Sequence, residues 1–411
     1  MKIGLVSTYA WPLVGGLEKL GLRLGQQLQA SGDHSLLVAR FSRQRHGLAD
    51  YFRASERGGF FDNEGLTTWL LPLCWWERIL WLPLFKLIWR QRTFPFACAL
   101  YNLVMVPKLQ RILKGCDAVH FLGCGPEMLG FACAAVAHRL GIPFLVEPAL
   151  HPGQWGDSWI DERLYREAHR VLAHTQSERL VLINLGIRAE RVSVVLHGVD
   201  HQEGGDGQRF RERFAISPTT PLILFLGRKT REKGVFRLVE AFHNVRRCMP
   251  EALLVLAGPA GGAMTREQQT GVLDLNDLSE AQKQDVLAAC SLLCVPSEGE
   301  SFGLVYYEAW FHRKAVVALD LPALRESVRA NQAGLLISEN PSSLENALLT
   351  LLQNPEQAKE MGERGRALAM KHSWISAIKS YREAYAETLI SFSPSRGSHG
   401  ASLQDSNNDL T

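Results

Sequence analysis

At 411 residues the chain is too long for one ordinary core and fits two or three domains, and its 46% hydrophobic content is enough to fill them. A formal charge of +3 gives bulk electrostatics no case for nucleic-acid binding. The eight cysteines, Cys74, Cys98, Cys116, Cys124, Cys133, Cys248, Cys290 and Cys294, form no C-x-x-C pair and have no histidines at zinc spacing, so they read as reduced and mostly buried, with no metal site expected.

The chain opens on a strand, Lys2 to Ser7, without a charged-then-apolar leader, so a cytoplasmic location is expected. A Gly-containing turn, Trp11 to Gly16, follows. Leu17, Leu20, Leu24 and Leu28 then recur at helical spacing, and Ser35 to Ala39 reads as the next strand. Strand, Gly-rich turn, helix and strand predict a parallel sheet with right-handed crossovers. G-x-G-x-x-G is absent, which argues against a dinucleotide oxidoreductase.

Residues 66–114 depart from this rhythm. Trp69, Trp75, Trp76, Trp81 and Trp89 fall here among Leu, Phe and Pro, interrupted by Arg78, Lys86, Arg90 and Arg92. The longest uncharged run, Thr93 to Pro107, contains two prolines and is shorter than the roughly 20 apolar residues of a bilayer span, so a transmembrane helix is rejected. Two readings stand. One is an apolar insertion packed on its own sheet; the other is peripheral contact with the inner face of a membrane or with a lipid-linked substrate, which aromatic and basic residues together suit.

Alternation resumes with strands at Ala118 to Leu122 and Pro143 to Val146 around a helix from Glu127 to Leu140. Strands at Val171 to His174 and Val192 to Leu196 follow, ending in His197-Gly198-Val199-Asp200. His201 to Gly207 has linker composition. A second series starts at Leu222 to Gly227, with further strands at 253–256, 271–275, 292–295, 316–319 and 335–337, and the pattern is helical from Pro341 to about Ser391. The expected organisation is a first Rossmann-like domain over 1–205 with 66–114 inserted, a second over 215–375, a helix over 376–392 crossing back to the first, and a disordered tail over 393–411. Two facing parallel sheets would set the carboxyl ends of their strands around one cleft, where such folds bind ligands.

Two turns of the second half carry the chemistry. The strand Leu292 to Val295 runs into Pro296-Ser297-Glu298-Gly299-Glu300-Ser301-Phe302-Gly303-Leu304, a strand-loop-helix unit with Glu300 in the loop and Glu308 in the helix. Free N–H groups at such a helix start would face a phosphate. Gly227-Arg228 closes the strand from Leu222, and Lys233-Gly234 opens the next helix; an arginine fork and a lysine point charge there suit a diphosphate. The structural alternatives are a merely solvated charged loop, Glu300 as a helix cap, and Glu308 paired with Arg313. His151 ends the strand after Pro143 and is the histidine singled out for function, whereas His120 is assigned to the core.

Taken together, Gly227-Arg228 with Lys233-Gly234, and Pro296-Ser297-x-x-Glu300-x-Phe302-Gly303-Leu304-x-x-x-Glu308-Ala309, resemble the glycosyltransferases of family 4, which have the GT-B architecture of two facing Rossmann-like domains. Weaker supports are Gly15-Gly16 and His197 to Asp200, which is similar to the family's Asn-Gly-Val-Asp. The resemblance implies a retaining glycosyltransferase that moves a sugar from a nucleoside-diphosphate sugar to a glycan or lipid-linked acceptor in polysaccharide, lipopolysaccharide or glycolipid synthesis. Arg228 and Lys233 would neutralise the diphosphate, and the amides of Phe302, Gly303 and Leu304 would also hold it. Glu300 would bind the transferred sugar and Glu308 the ribose, with Gly16, Gly227 and Ser301 also at the donor and His151 near the sugar. Fixed cations aimed at a growing diphosphate charge need no metal, and no Asp-x-Asp motif is present to hold one. No cofactor beyond the nucleotide sugar is implied.

The sequence also departs from the family. Arg313-Lys314-Ala315-Val316 replaces a Gly-x-Pro-Val turn, Leu321-Pro322 replaces a Gly-Gly pair, the chain between Gly258 and Gly271 is short, and Asn276 stands at a position that is often Gly near the nucleobase. These departures keep in view a GT-B scaffold without catalysis, or an epimerase or phosphorylase on the same fold.

Overall fold

The computed structural model describes residues 1–13, 15–148, 150–200, 204–259, 270–276 and 278–392. The expected tail at 393–411 and most of the stretch between Gly258 and Gly271 lie outside the described residues.

The first sheet is built from β1 (Lys2–Tyr9), β2 (His34–Phe41), β3 (Gly59–Asn63), β4 (Leu66–Leu70), β5 (Ala118–Leu122), β6 (Phe144–Glu147), β7 (Arg170–Ala173) and β8 (Val192–Val194). Their order across the sheet is β3-β4-β2-β1-β5-β6-β7-β8, all parallel except the antiparallel β3. The second sheet comprises β9 (Leu222–Leu226), β10 (Leu253–Ala257), β11 (Val272–Leu275), β12 (Leu292–Val295), β13 (Ala315–Leu319) and β14 (Gly334–Ile337), in the order β11-β10-β9-β12-β13-β14. Counted within its own half, that order is third, second, first, fourth, fifth, sixth, the doubly wound arrangement with its switch point between β9 and β12. The first sheet reverses between β1 and β5. Covered on both faces, its central strands must be apolar throughout: Ile3, Leu5 and Val6 in β1 are fully buried, as are Leu222 to Phe225 in β9.

Residues 66–114 are not wholly an insertion. Their first strand, β4, pairs parallel with β2, and a turn at Glu64 and Gly65, both with positive φ (51° and 87°), folds β3 back on it. Beyond β4, the helices Trp75–Leu80, Leu84–Leu87 and Phe94–Leu113 pack one face inward. Trp81 stacks on Tyr101 at 4.4 Å, and the buried Arg40 guanidinium lies 4.6 Å from the Tyr51 ring and 5.0 Å from Trp81, so cation–π contact pins the segment to β2. The outward face carries Trp75, Trp76, Ile79, Leu82, Phe85, Trp89, Phe96 and Leu103, all exposed. The packed reading thus describes the inward face of this segment, and the outward face is exposed. Among the described residues, no helix is long and apolar enough to cross a membrane.

The last helix, Trp374–Ser391, starts at a Ser373 cap and lies on the first sheet, burying Ala377, Ile378, Tyr381 and Tyr385 beside Ile3, Leu5 and Leu20. Trp374 Nε1 donates to Asp200 Oδ1 at 2.9 Å, and Lys19 and Arg23 hold the other carboxylate oxygen at 3.0 and 3.1 Å. Asp200 therefore ties the helix Gly16–Ala30, the interdomain link and the last helix together. Burial raises its pKa, but the Lys19 and Arg23 charges outweigh this and hold it below the ordinary value.

Candidate active site

The loop after β12 is held from beneath. Ser297, buried, donates to the Gly299 carbonyl at 2.9 Å, and the Tyr306 hydroxyl donates to the Val295 carbonyl at 2.7 Å. The loop ends at Gly303, whose φ of 79° is left-handed and where a Cβ would fall 2.5 Å from the Tyr306 ring; only glycine fits. The helix Leu304–Phe311 follows, with no side chain capping its start. Glu300 is therefore not the cap, and the first amides keep their capacity for an anion.

The loop after β9 locks against this one. Gly234 has φ 75°, and a Cβ there would lie 2.2 Å from the Pro296 carbonyl. The Glu298 N–H donates to the Glu232 carbonyl at 2.8 Å. This close approach brings Lys233 Nζ to 2.6 Å from Glu300 Oε1. Arg228 sits at the end of β9, exposed, with no carboxylate partner among the described residues. Glu308 finds its cation in Lys283, 2.8 Å away, rather than in Arg313, which pairs with Glu363 at 2.9 Å. Burial pulls the Lys283 pKa down, but Glu308 and Glu280 more than offset it and hold it above the ordinary value.

A cleft of about 480 Å³ opens here, lined by Arg228, Thr230, Glu232, Lys233 and Ser297 to Gly299 from the second domain and by Gln154 and Trp155 from the first. A smaller recess of about 30 Å³ gathers Gly16, Lys19, Leu304, Glu308, His197 and Trp374. Gly16 thus faces Leu304 across the domains; even a Cβ on it would stop 3.9 Å from that side chain. His151 lies behind the cleft wall, with its ring 3.9 Å from that of Trp155. Gly227, Ser301 and Phe302 complete the run of nominated positions, with Phe302 largely buried.

Several residues of this region were not read from the sequence. Buried Lys229 is paired with Asp274 and donates to Asn276 Oδ1 at 2.9 Å, so Asn276 has an ionic neighbour where glycine is usual. Across the cleft, Glu18 pairs with Arg45 at 2.5 Å. Burial raises the Glu18 pKa against the Arg45 charge and a smaller contribution from Arg228. Glu127, after β5, accepts from Thr8 at 2.6 Å, and burial pushes its pKa up to about 7. A carboxylate ending an apolar strand was the available signal for Glu147, and one in the turn after a strand for Glu127. The remaining pairs join residues too far apart in sequence to be read.

Two family models cover most of the chain: a glycosyl transferase 4-like domain over residues 15–198 and glycosyl transferases group 1 over 206–368. D-inositol 3-phosphate glycosyltransferase of Gordonia bronchialis is 29% identical over 254 residues, 56% of this chain and 55% of that protein. Alpha-maltose-1-phosphate synthase of Mycolicibacterium smegmatis is 28% identical over 256 residues, 56% of this chain and 65% of that protein. The match to the first of these spans only about half of its length. Among solved structures, sucrose-phosphate synthase from Thermosynechococcus elongatus superposes with a TM-score of 0.73 at 18% identity, covering 95% of this chain and 99% of that one. Anabaena HepE in complex with UDP gives 0.67 at 18%, covering 94% and 100%. Two parallel α/β sheets in this order, with both halves matched, establish that the chain belongs to the group 1, family 4 glycosyltransferases of GT-B fold.

Proposed function

We propose that this protein is a retaining, metal-independent glycosyltransferase that moves a sugar from a nucleoside-diphosphate sugar to a glycan or lipid-linked acceptor, in polysaccharide, lipopolysaccharide or glycolipid synthesis. The observation that carries the reading is the convergence of Arg228, Lys233 and Glu300 with the uncapped helix start at Gly303, at the switch point of the second sheet. Cations fixed beside a leaving diphosphate stabilise charge that grows in the transition state, and they need no reorganisation as it forms. In the free protein Lys233 and Glu300 neutralise each other; a bound donor would take the lysine with its phosphates and the glutamate with its sugar hydroxyls. Retention then has the acceptor attack from the leaving-group side, its proton passing to the departing phosphate. Structural neighbours solved with UDP and with UDP-glucose support a nucleotide-sugar donor. Glu300→Ala should abolish transfer while leaving the thermal transition cooperative; unchanged turnover would overturn the site assignment. Transfer should also persist in excess chelator.

The acceptor side supports a membrane-facing substrate. From Arg78 to Pro107 the sequence holds Arg78, Lys86, Arg90 and Arg92 and no acid, and Glu77 just before it is buried against Lys108 at 2.6 Å. Exposed tryptophans beside unopposed cations suit the interface of an anionic bilayer, where each such cation contributes about 1 kcal/mol. Replacing Trp75, Trp76 and Trp89 together by Ser should abolish sedimentation with phosphatidylserine vesicles at low salt; equal sedimentation of the two proteins would refute this surface.

A further inference from the structure

Outside the cleft, a dense set of buried titratable groups lies where the two domains and the last helix meet. Three neighbouring strands of the first sheet each supply one: His120 on β5, Glu147 at the end of β6 and His174 just past β7. Glu147 is fully buried. His174 Nε2 lies 2.8 Å from its Oε1, the Tyr381 hydroxyl donates to the same oxygen at 2.9 Å, and His120 Nε2 is 3.2 Å from Oε2. His120 Nδ1 is in turn 2.8 Å from the Tyr385 hydroxyl. Behind them, Glu178 accepts the His174 backbone N–H at 2.6 Å.

Burial and pairing oppose each other in this cluster. Burial raises the Glu147 pKa, but the pairing with His174, with His120 close by, overcomes it and holds the carboxyl far below its usual range. Burial works against a proton on His174, and Glu147 overcomes it, so the His174 pKa is raised. An ion pair buried this deeply recovers little more than its desolvation cost, and apolar packing of the same volume would serve stability as well.

The cluster connects to the donor loop. The His174 ring is 4.5 Å from the His197 ring, and His197 stacks on Phe302 at 4.7 Å with 11° between planes. Phe302 stacks in turn on Tyr307 at 4.4 Å. Burial, and then the His174 charge, push the His197 pKa down to about 3, so His197 meets Phe302 as a neutral ring. Burial likewise takes His372, whose Nδ1 is 3.3 Å from the His197 carbonyl, down to about 4.

We propose that His174, held by Glu147, His120 and the two tyrosines of the last helix, is a positioning residue for the donor loop: it sets the His197 ring against Phe302 and so presents the amides of Phe302 to Leu304 to the diphosphate. The claim rests on the transferase reading for what the loop binds, and on the contacts above for how the loop is held. It follows that the last helix must dock before the loop is set, since Tyr381 and Tyr385 complete the cluster.

The test uses the full chain. Tyr381→Phe deletes one hydroxyl from Glu147 and touches neither the cleft nor Phe302, while Glu147→Gln keeps the shape and removes the charge. Hydrogen exchange at Tyr306, whose N–H closes the loop by donating to the Gly303 carbonyl at 3.0 Å, should rise about tenfold or more in both variants, while β9 and β12 stay protected. With a nucleotide sugar, the donor KM should rise in Tyr381→Phe with kcat within about twofold, and this rise should vanish in a Phe302→Leu background, because residues that act through one chain are not additive. Unchanged loop exchange, exchange raised evenly over both domains, or the same KM cost in both backgrounds would overturn the proposal. Should Glu147→Gln fail to fold, Tyr381→Phe carries the test. A wild-type protein without transfer whose loop exchange still responds would strike the transferase reading and leave the positioning claim standing.

Discussion

The two halves share a winding plan and use it for opposite electrostatic ends. At the switch point of the second sheet, Lys233 pairs with Glu300, Lys283 is shared between Glu308 and Glu280, and Arg228 stays exposed. At the switch point of the first, Glu18 and Glu127 are buried carboxylates with raised pKa values, and the nearby cations are already committed, Arg45 to Glu18 and Lys19 and Arg23 to Asp200. On the proposed reading a diphosphate would be drawn to the second wall, since it would find no uncommitted cation among these residues on the first. On the same reading the first wall would take the uncharged hydroxyls of an acceptor. The same contrast separates the surfaces, since the cations of the first domain's outer face, Arg78 to Arg92, are unopposed and stand among exposed aromatics.

The largest effect should come from the cationic wall. Lys233→Ala removes a charge from the leaving group and leaves Glu300 without its partner, so kcat/KM should fall by about 10²- to 10³-fold in a steady-state assay. A loss under about tenfold would mean that the cations are not what the second wall is for.

A smaller effect should mark the acidic wall. The folded pKa of Glu127, at about 7, lies above the unfolded value of roughly 4.3, so the folded state binds its proton more tightly than the unfolded state does. Its contribution to stability is complete below the unfolded value and is lost as pH rises through about 7. Glu127→Gln has no such loss. Between pH 5 and 8 the melting temperature of the wild type should therefore fall relative to that of the variant; parallel profiles would show that the carboxyl is better solvated than its burial implies.

The smallest expected effect lies outside both walls. Arg313 stands where the family usually has glycine, yet it keeps a left-handed φ of 56°. That conformation costs a non-glycine residue about 1–2 kcal/mol, partly offset here by the pair with Glu363. Arg313→Gly should leave donor affinity unchanged and shift stability by less than about 1 kcal/mol in denaturant melts. The departure at Arg313 thus changes the residue and keeps the turn, so it gives no ground for a weakened catalyst.

What could be read from the sequence follows the range of each interaction. The loop from Pro296 to Leu304 was legible because its determinants are local: an apolar strand, a glycine that must be left-handed, and acids at fixed spacing. The β3–β4 hairpin was missed although Asn63-Glu64-Gly65 signals its turn, because the tryptophans beyond it dominated the reading of residues 66–114. His120 was correctly placed in the core, but its partners were out of reach, since the Tyr381 bond to Glu147 spans 234 positions. The alternative that paired Glu308 with Arg313 is not what the structure shows, for a related reason. Arg313 is close along the chain, but the fold brings Lys283 from the preceding helix instead.

The most direct test of the central claim is a calorimetric titration of the wild type and Lys233→Ala with UDP, GDP and ADP. The expected result is saturable binding of at least one nucleotide by the wild type, weakened by about tenfold or more in the variant, as befits the loss of a charged contact to phosphate. Failure of the wild type to bind any of the three, or equal affinities in the two proteins, would contradict the assignment of this cleft to a nucleoside-diphosphate donor.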